Sequence, residues 1–166
     1  MLRQYIGDIG HLSVIISFIA SIVAALAYYN ATLAQKDSLQ KENSWLKFAR
    51  IAFAVHGIAV MGIVLSLFTI IYKNYFEFHY AWEHASKNLP THFMISCFWE
   101  GQEGSFLLWI FWHVILGGIL IRTNKVWEAP VMTIFALVQA FLASMILGVV
   151  LYDLSLIHIS EPTRQA

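Results

Sequence analysis

The sequence predicts an all-α membrane protein, a polytopic bundle of four transmembrane helices. Hydrophobic residues make up 59% of the 166 residues and charged residues only 12%, whereas soluble domains carry about 25% charged residues. So few charges cannot cover a globule that faces water on all sides. The apolar residues also fall into four blocks, each about long enough to cross a hydrocarbon core of roughly 30 Å as a helix.

The first block runs from about Ile9 to Tyr28 and is predicted to be a retained helix. Its apolar run exceeds the roughly 7 to 15 residues of a signal-peptide core, and a single basic residue, Arg3, precedes it. Cleavage near Ala27 is the alternative. A stripe of small side chains at every fourth position favours retention, because it lets a neighbouring helix approach closely. The stripe consists of Ser13, Ser17, Ser21 and Ala25.

The other three blocks are predicted to be helices over about residues 48–72, 94–121 and 131–151. Pro130 suits the first turn of the last helix, where its missing N–H costs nothing. This helix carries a second small-residue stripe, formed by Ala136, Ala140, Ser144 and Gly148. Residues 1–154 are therefore predicted to form one transmembrane unit. Residues 155–166 read as a non-native tail that neither continues the helix nor forms an amphipathic segment, and their sequence is similar to translated sequencing adapter.

The distribution of Lys and Arg predicts the orientation. Six basic residues, Lys36, Lys41, Lys47, Arg50, Arg122 and Lys125, share one side of a four-helix arrangement, and three, Arg3, Lys73 and Lys87, share the other. Because cytoplasmic connections carry the excess of positive charge, both termini and the loop over residues 73–97 are expected to be extracytoplasmic.

Several function classes find no support in the sequence. The net charge is zero, so no basic surface is available to neutralise a nucleic-acid backbone, and the lipid bilayer is the expected environment. Cys97 is the single cysteine, which excludes an intrachain disulfide and a paired-cysteine metal site, and no metal is expected. Nucleotide-binding and metalloprotease motifs are absent as well.

Two histidines lie inside predicted helices, where ionisable residues often mark functional sites. His56 comes about seven residues after the cytoplasmic start of the second helix, and His113 about eight before the cytoplasmic end of the third, so both are expected roughly 10 to 12 Å deep. Two neutral imidazoles at one depth could bracket a haem iron. The alternative is that each histidine makes a hydrogen bond to a neighbouring helix.

Two carboxylates, Glu100 and Glu103, stand near the start of the third helix. Carboxylates at this position complement the helix dipole, which is a plain stabilising role. The glycines at Gly101 and Gly104 also allow a close approach, either by a packed helix or by a ligand or substrate.

This region carries a resemblance to a known family. A set of residues between Tyr80 and Trp109 resembles the segment that follows the second helix of CcmF-type cytochrome c haem lyases, the family that includes CcsA. The Gly7-Asp8-Ile9-Gly10-His11 start is similar to that family as well. The most specific part is the W-x-G-x-E-G-S pattern and the Leu-Leu-Trp after it. The matching residues are Tyr80, His84, Leu89, Pro90, Trp99, Gly101, Glu103, Gly104, Ser105 and Trp109.

The resemblance implies a bacterial inner-membrane protein of cytochrome c biogenesis. Such proteins hold b-type haem, present it at an extracytoplasmic Trp-rich segment called the WWD domain, and attach it to the CxxCH thiols of apocytochrome c together with other maturation proteins. The WWD segment and the family's haem-ligand histidines lie farther along the chain than residue 166. The expectation is therefore an amino-terminal portion that is inactive as a lyase alone. The alternatives are a small b-type cytochrome that uses His56 and His113, and a non-catalytic structural membrane subunit.

Overall fold

A computed structural model describes residues 2–37, 44–72 and 102–160, and side chains over 5–35, 44–70, 72 and 104–148. The described chain forms four α-helices and no strand: α1 (Leu2–Asp37), α2 (Ser44–Tyr72), α3 (Gln102–Thr123) and α4 (Glu128–Ser160). Each contains a segment long and apolar enough to cross a membrane: Tyr5–Gln35, Ser44–Ile70, Gly104–Thr123 and Glu128–Gly148. The predicted all-α, four-span fold is confirmed.

The helix ends differ from the predicted ones because helices continue past their apolar cores. The first helix extends nine residues beyond the predicted end at Tyr28, through a polar segment that starts at Asn30. The last helix continues to Ser160, so the prediction that residues from Ser155 onward leave the helix is wrong for six of them. The predicted start of the third helix, residues 94–101, lies outside the described residues. Pro130 is the third residue of α4, in the first turn as expected.

The helices form a ring in which α1 contacts α2 and α4, and α3 contacts α2 and α4. Neighbours are antiparallel. For α1 and α2, Gly10 lies near Ser66, Ser13 near Gly62 and Ser17 near His56. Residue numbers therefore rise along α1 as they fall along α2.

Two apolar clusters fill the inside of the ring, one at each end. Val14, Val60 and Leu107 belong to the cluster near the start of α1. Tyr28, Phe53 and Met132 belong to the cluster near the start of α2 and α4. Large apolar side chains such as Ile51 and Ile58 are exposed on the outside, as expected where lipid replaces water around a bundle.

Candidate functional site

His56 is fully buried where α1 and α2 touch. Its Nδ1 lies 2.9 Å from the carbonyl oxygen of Ser17 and 3.1 Å from the Ser17 Oγ. A carbonyl can only accept, so Nδ1 carries the hydrogen and Nε2 keeps the lone pair. The ring also packs against Phe53, with 5.9 Å between ring centroids. The hydrogen bond to a neighbouring helix, which was the alternative to haem ligation for His56, is therefore present.

His113 lies on the neighbouring helix at the same level of the bundle. A methyl group on Gly57, next to His56, would lie 3.0 Å from Cγ1 of Val114, next to His113. The two side chains nevertheless point to different neighbours. The His113 ring packs on Phe135 of α4, with 5.4 Å between centroids, whereas His56 is bonded to α1.

Four buried polar atoms have no hydrogen-bond partner among the described residues: Tyr28 OH, His56 Nε2, His113 Nδ1 and Gln139 Oε1. Gln139 is fully buried on α4, and its Nε2 donates to the carbonyl of Ile110 on α3 at 3.0 Å. Such atoms are costly in a membrane interior, where no bulk water compensates them. The polar atoms of the two histidines and Gln139 lie on three helices within about two helical turns.

A haem held by both histidines does not fit this arrangement. His56 Nε2 and His113 Nδ1 are each without a hydrogen-bond partner among the described residues, as ligand nitrogens would be. Next to both residues, however, α2 and α3 approach each other closely: a methyl group added to Gly57 would lie 3.0 Å from Cγ1 of Val114, whereas a porphyrin needs about 3.5 Å between each face and a neighbouring atom.

Four residues of the family-like motif, Glu103, Gly104, Ser105 and Trp109, lie in the first turns of α3. Gly104 is buried, Ser105 is exposed, and Trp109 is 62% exposed. Glu103 lies in the first turn of α3, but its side chain is outside the described part. The remaining motif residues also lie outside it, as does Glu100: Tyr80, His84, Leu89, Pro90, Trp99 and Gly101.

The sequence reasoning missed an ion pair between α2 and α4. Arg50 donates from Nε and Nη2 to the two carboxylate oxygens of Glu128, at 2.6 and 2.7 Å. Glu128 is fully buried, and Lys125 Nζ lies 3.9 Å from the same carboxylate. The one indication of this pair in the sequence is that Arg50 lies at the border of the second apolar block and Glu128 at the border of the fourth.

Comparisons with known proteins found no matching family model, no matching curated protein and no matching solved structure.

Proposed function

We propose that this chain is the amino-terminal transmembrane portion of a CcmF-like haem lyase. In the intact protein it takes part in haem delivery and in covalent attachment of haem to apocytochrome c, alongside other maturation proteins. The observation that carries the proposal is the W-x-G-x-E-G-S pattern of residues 99–105, followed by Leu107-Leu108-Trp109. General membrane constraints do not require that order of residues.

The position of the motif on α3 supports a scaffolding role. Leu107 and Ile110 are each 1% exposed, and Gln139 of α4 bonds the carbonyl of Ile110. These contacts hold the part of the motif that lies in α3 in place, while Trp109, on another side of the same helix, is exposed. The bundle then holds the start of α3 in place beside a haem site built by later segments, and no catalytic group is assigned to residues 1–166.

We further propose a bacterial inner-membrane location with both termini and residues 73–97 outside the cytoplasm, based on the six-to-three division of basic residues. An impermeant thiol reagent is expected to label cysteines introduced at Asn74 or Asn88 in intact cells of a Cys97→Ser variant. A cysteine at Ser38 is expected to react only after permeabilisation. The reverse labelling pattern would overturn this orientation.

Glu103 is the residue through which the proposed function is best tested. If it contacts a haem propionate partner, an apocytochrome segment or a facing helix, Glu103→Gln in a full-length homologue removes a charge from a low-dielectric setting and strongly lowers cytochrome c maturation. If it only complements the helix dipole, the same change costs about 0.3 to 1 kcal/mol and leaves maturation nearly intact.

The measurement is the yield of haem-stained cytochrome c, normalised to the amount of lyase in the membrane. Glu100→Gln is the matched control, since it removes the same charge three residues earlier. A wild-type yield for Glu103→Gln, or an equal deficit for both variants, contradicts the proposed role of Glu103.

A further inference from the structure

Gln139 places an amide near the middle of the membrane span of α4, Glu128–Gly148. Its side chain is fully buried, and its Nε2 donates to the carbonyl oxygen of Ile110 on α3 at 3.0 Å. A carbonyl can only accept, so this contact fixes the orientation of the amide and leaves Oε1 as an acceptor. Oε1 has no hydrogen-bond partner among the described residues, at a depth that bulk water does not reach.

His113 brings a second buried polar atom without a partner to the same interface. Its ring packs on Phe135, one turn before Gln139 on α4, and Ile110, which accepts from Gln139, lies one turn before His113 on α3. Side chains lean toward the amino terminus of their own helix. Because α3 and α4 are antiparallel, the imidazole of His113 and the amide of Gln139 lean toward one level of the bundle.

The chemistry of the two atoms defines what can join them. His113 Nδ1 and Gln139 Oε1 do not bond each other, since each is without a partner among the described residues. Oε1 only accepts and needs an O–H or N–H, whereas Nδ1 donates or accepts according to the tautomer. Water serves both atoms in either tautomer, and buried waters typically make about three hydrogen bonds to such groups. The small buried side chains of Ala136 and Ala143, one turn to either side of Gln139, leave room beside the amide.

We propose that the interface between α3 and α4 binds one internal water molecule, held by Gln139 Oε1 and His113 Nδ1. The water donates to Oε1 and either accepts from Nδ1–H or donates to the Nδ1 lone pair. It adds a second bridge between the helices beside the direct bond of Gln139 to Ile110. The proposal rests on the contacts of α3 and α4 and does not depend on the proposed function in haem attachment.

The test uses the purified 166-residue chain in detergent micelles, isotope-labelled at the glutamine side-chain nitrogens and followed by NMR. Paired NOE and ROE measurements, which distinguish bound water from proton exchange, are expected to show magnetisation transfer from water to the Gln139 side-chain amide. The signal of Gln139 is identified by its loss in Gln139→Leu. His113→Leu is expected to abolish the transfer while the Gln139 signal remains. His113→Asn, whose amide keeps a polar atom near the position of Nδ1, is expected to retain it.

Ser144→Ala is the matched control on the same helix, because the Ser144 hydroxyl bonds the carbonyl of Phe141 within α4. It is expected to leave the transfer unchanged. No transfer in the unaltered chain would overturn the proposal, whatever the variants show. Transfer that persists in His113→Leu, or that is lost in His113→Asn, would overturn it too, because His113 would then not hold the water. A scalar coupling across a direct bond from His113 to Gln139 would replace the water by a side-chain contact.

Discussion

The small-residue stripes of α1 and α4 look alike in the sequence and have different surroundings in the structure. On α1, Ser17 and Ser21 are at most 1% exposed, and a methyl group on Gly62 of α2 would lie 2.8 Å from the Ser13 Oγ. On α4, a methyl group on Gly148 would meet nothing within 4 Å among the described residues. Only the start of that stripe, Ala136, is fully buried.

The geometry of a helix explains the difference. Residues spaced by four are not stacked along the axis, because four steps of about 100° each turn the row by about 40° every time. Such a row stays buried only if the partner helix crosses at a matching angle. On α1 the row remains against α2, whereas on α4 the buried positions are Ala136, Gln139, Ala143 and Ile146. A small-residue stripe therefore permits a close approach without determining whether it occurs.

The largest expected difference in stability between the two stripes comes from replacing a glycine by leucine, at Gly62 opposite the α1 stripe or at Gly148 in the α4 stripe. Gly62→Leu forces a large side chain against Ser13 and is expected to destabilise the bundle by about 1 to 3 kcal/mol, the usual cost of overpacking. Gly148→Leu enters open space and is expected to cause no loss. Detergent-solubilised protein, unfolded by heat or by dodecyl sulfate and followed by circular dichroism, measures both changes. Equal losses would show that the α4 stripe is packed after all.

Removal of one hydroxyl from each stripe is expected to have a smaller effect. Ser17→Ala deletes the Oγ that lies 3.1 Å from His56 Nδ1 but keeps the carbonyl contact, so a loss near 0.6 kcal/mol is expected, typical of such bonds in membranes. The Ser144 hydroxyl bonds to the carbonyl of Phe141 in its own helix, and Ser144→Ala should be neutral. A double-mutant cycle of Ser17→Ala with His56→Leu checks the assignment. Zero coupling would refute it.

Deletion of residues 155–166 is expected to have the smallest effect. The segment is too short to cross the bilayer by itself, and it begins beyond Gly148, where an added methyl group would meet nothing within 4 Å among the described residues. Expression and thermal stability in detergent are expected to match those of the full chain. A clear loss of either would show that the last turns of α4 pack on the bundle.

Much of the fold could be predicted because it follows from composition along the chain. Four apolar blocks of suitable length predict four helices, and the stripe around Ser17 predicts that another helix can approach α1 closely, without indicating which one. Helix ends were less predictable, since Asn30 and the polar residues after it are compatible with a helix that leaves the membrane. The common level of His56 and His113 in the bundle was also predictable, because it follows from helical rise and from the antiparallel order of α2 and α3.

The directions of side chains inside the bundle could not be predicted from the sequence. His56 points to α1 and His113 to α4, and that choice depends on how the helices rotate against each other. Gln139 is the one amide in the fourth apolar block and could have been recognised as a buried polar group. Arg50 and Glu128 are 78 residues apart, and no local pattern connects them.

The Arg50–Glu128 pair also constrains the order in which this protein can be assembled. The α2 helix enters the membrane with Arg50 near its boundary, while the carboxylate that neutralises it belongs to the first residue of α4. During synthesis this ion pair therefore cannot form until residue 128 has left the ribosome. Closure of the pair is consequently a late event, and a chain that stops after α3 leaves Arg50 without this carboxylate.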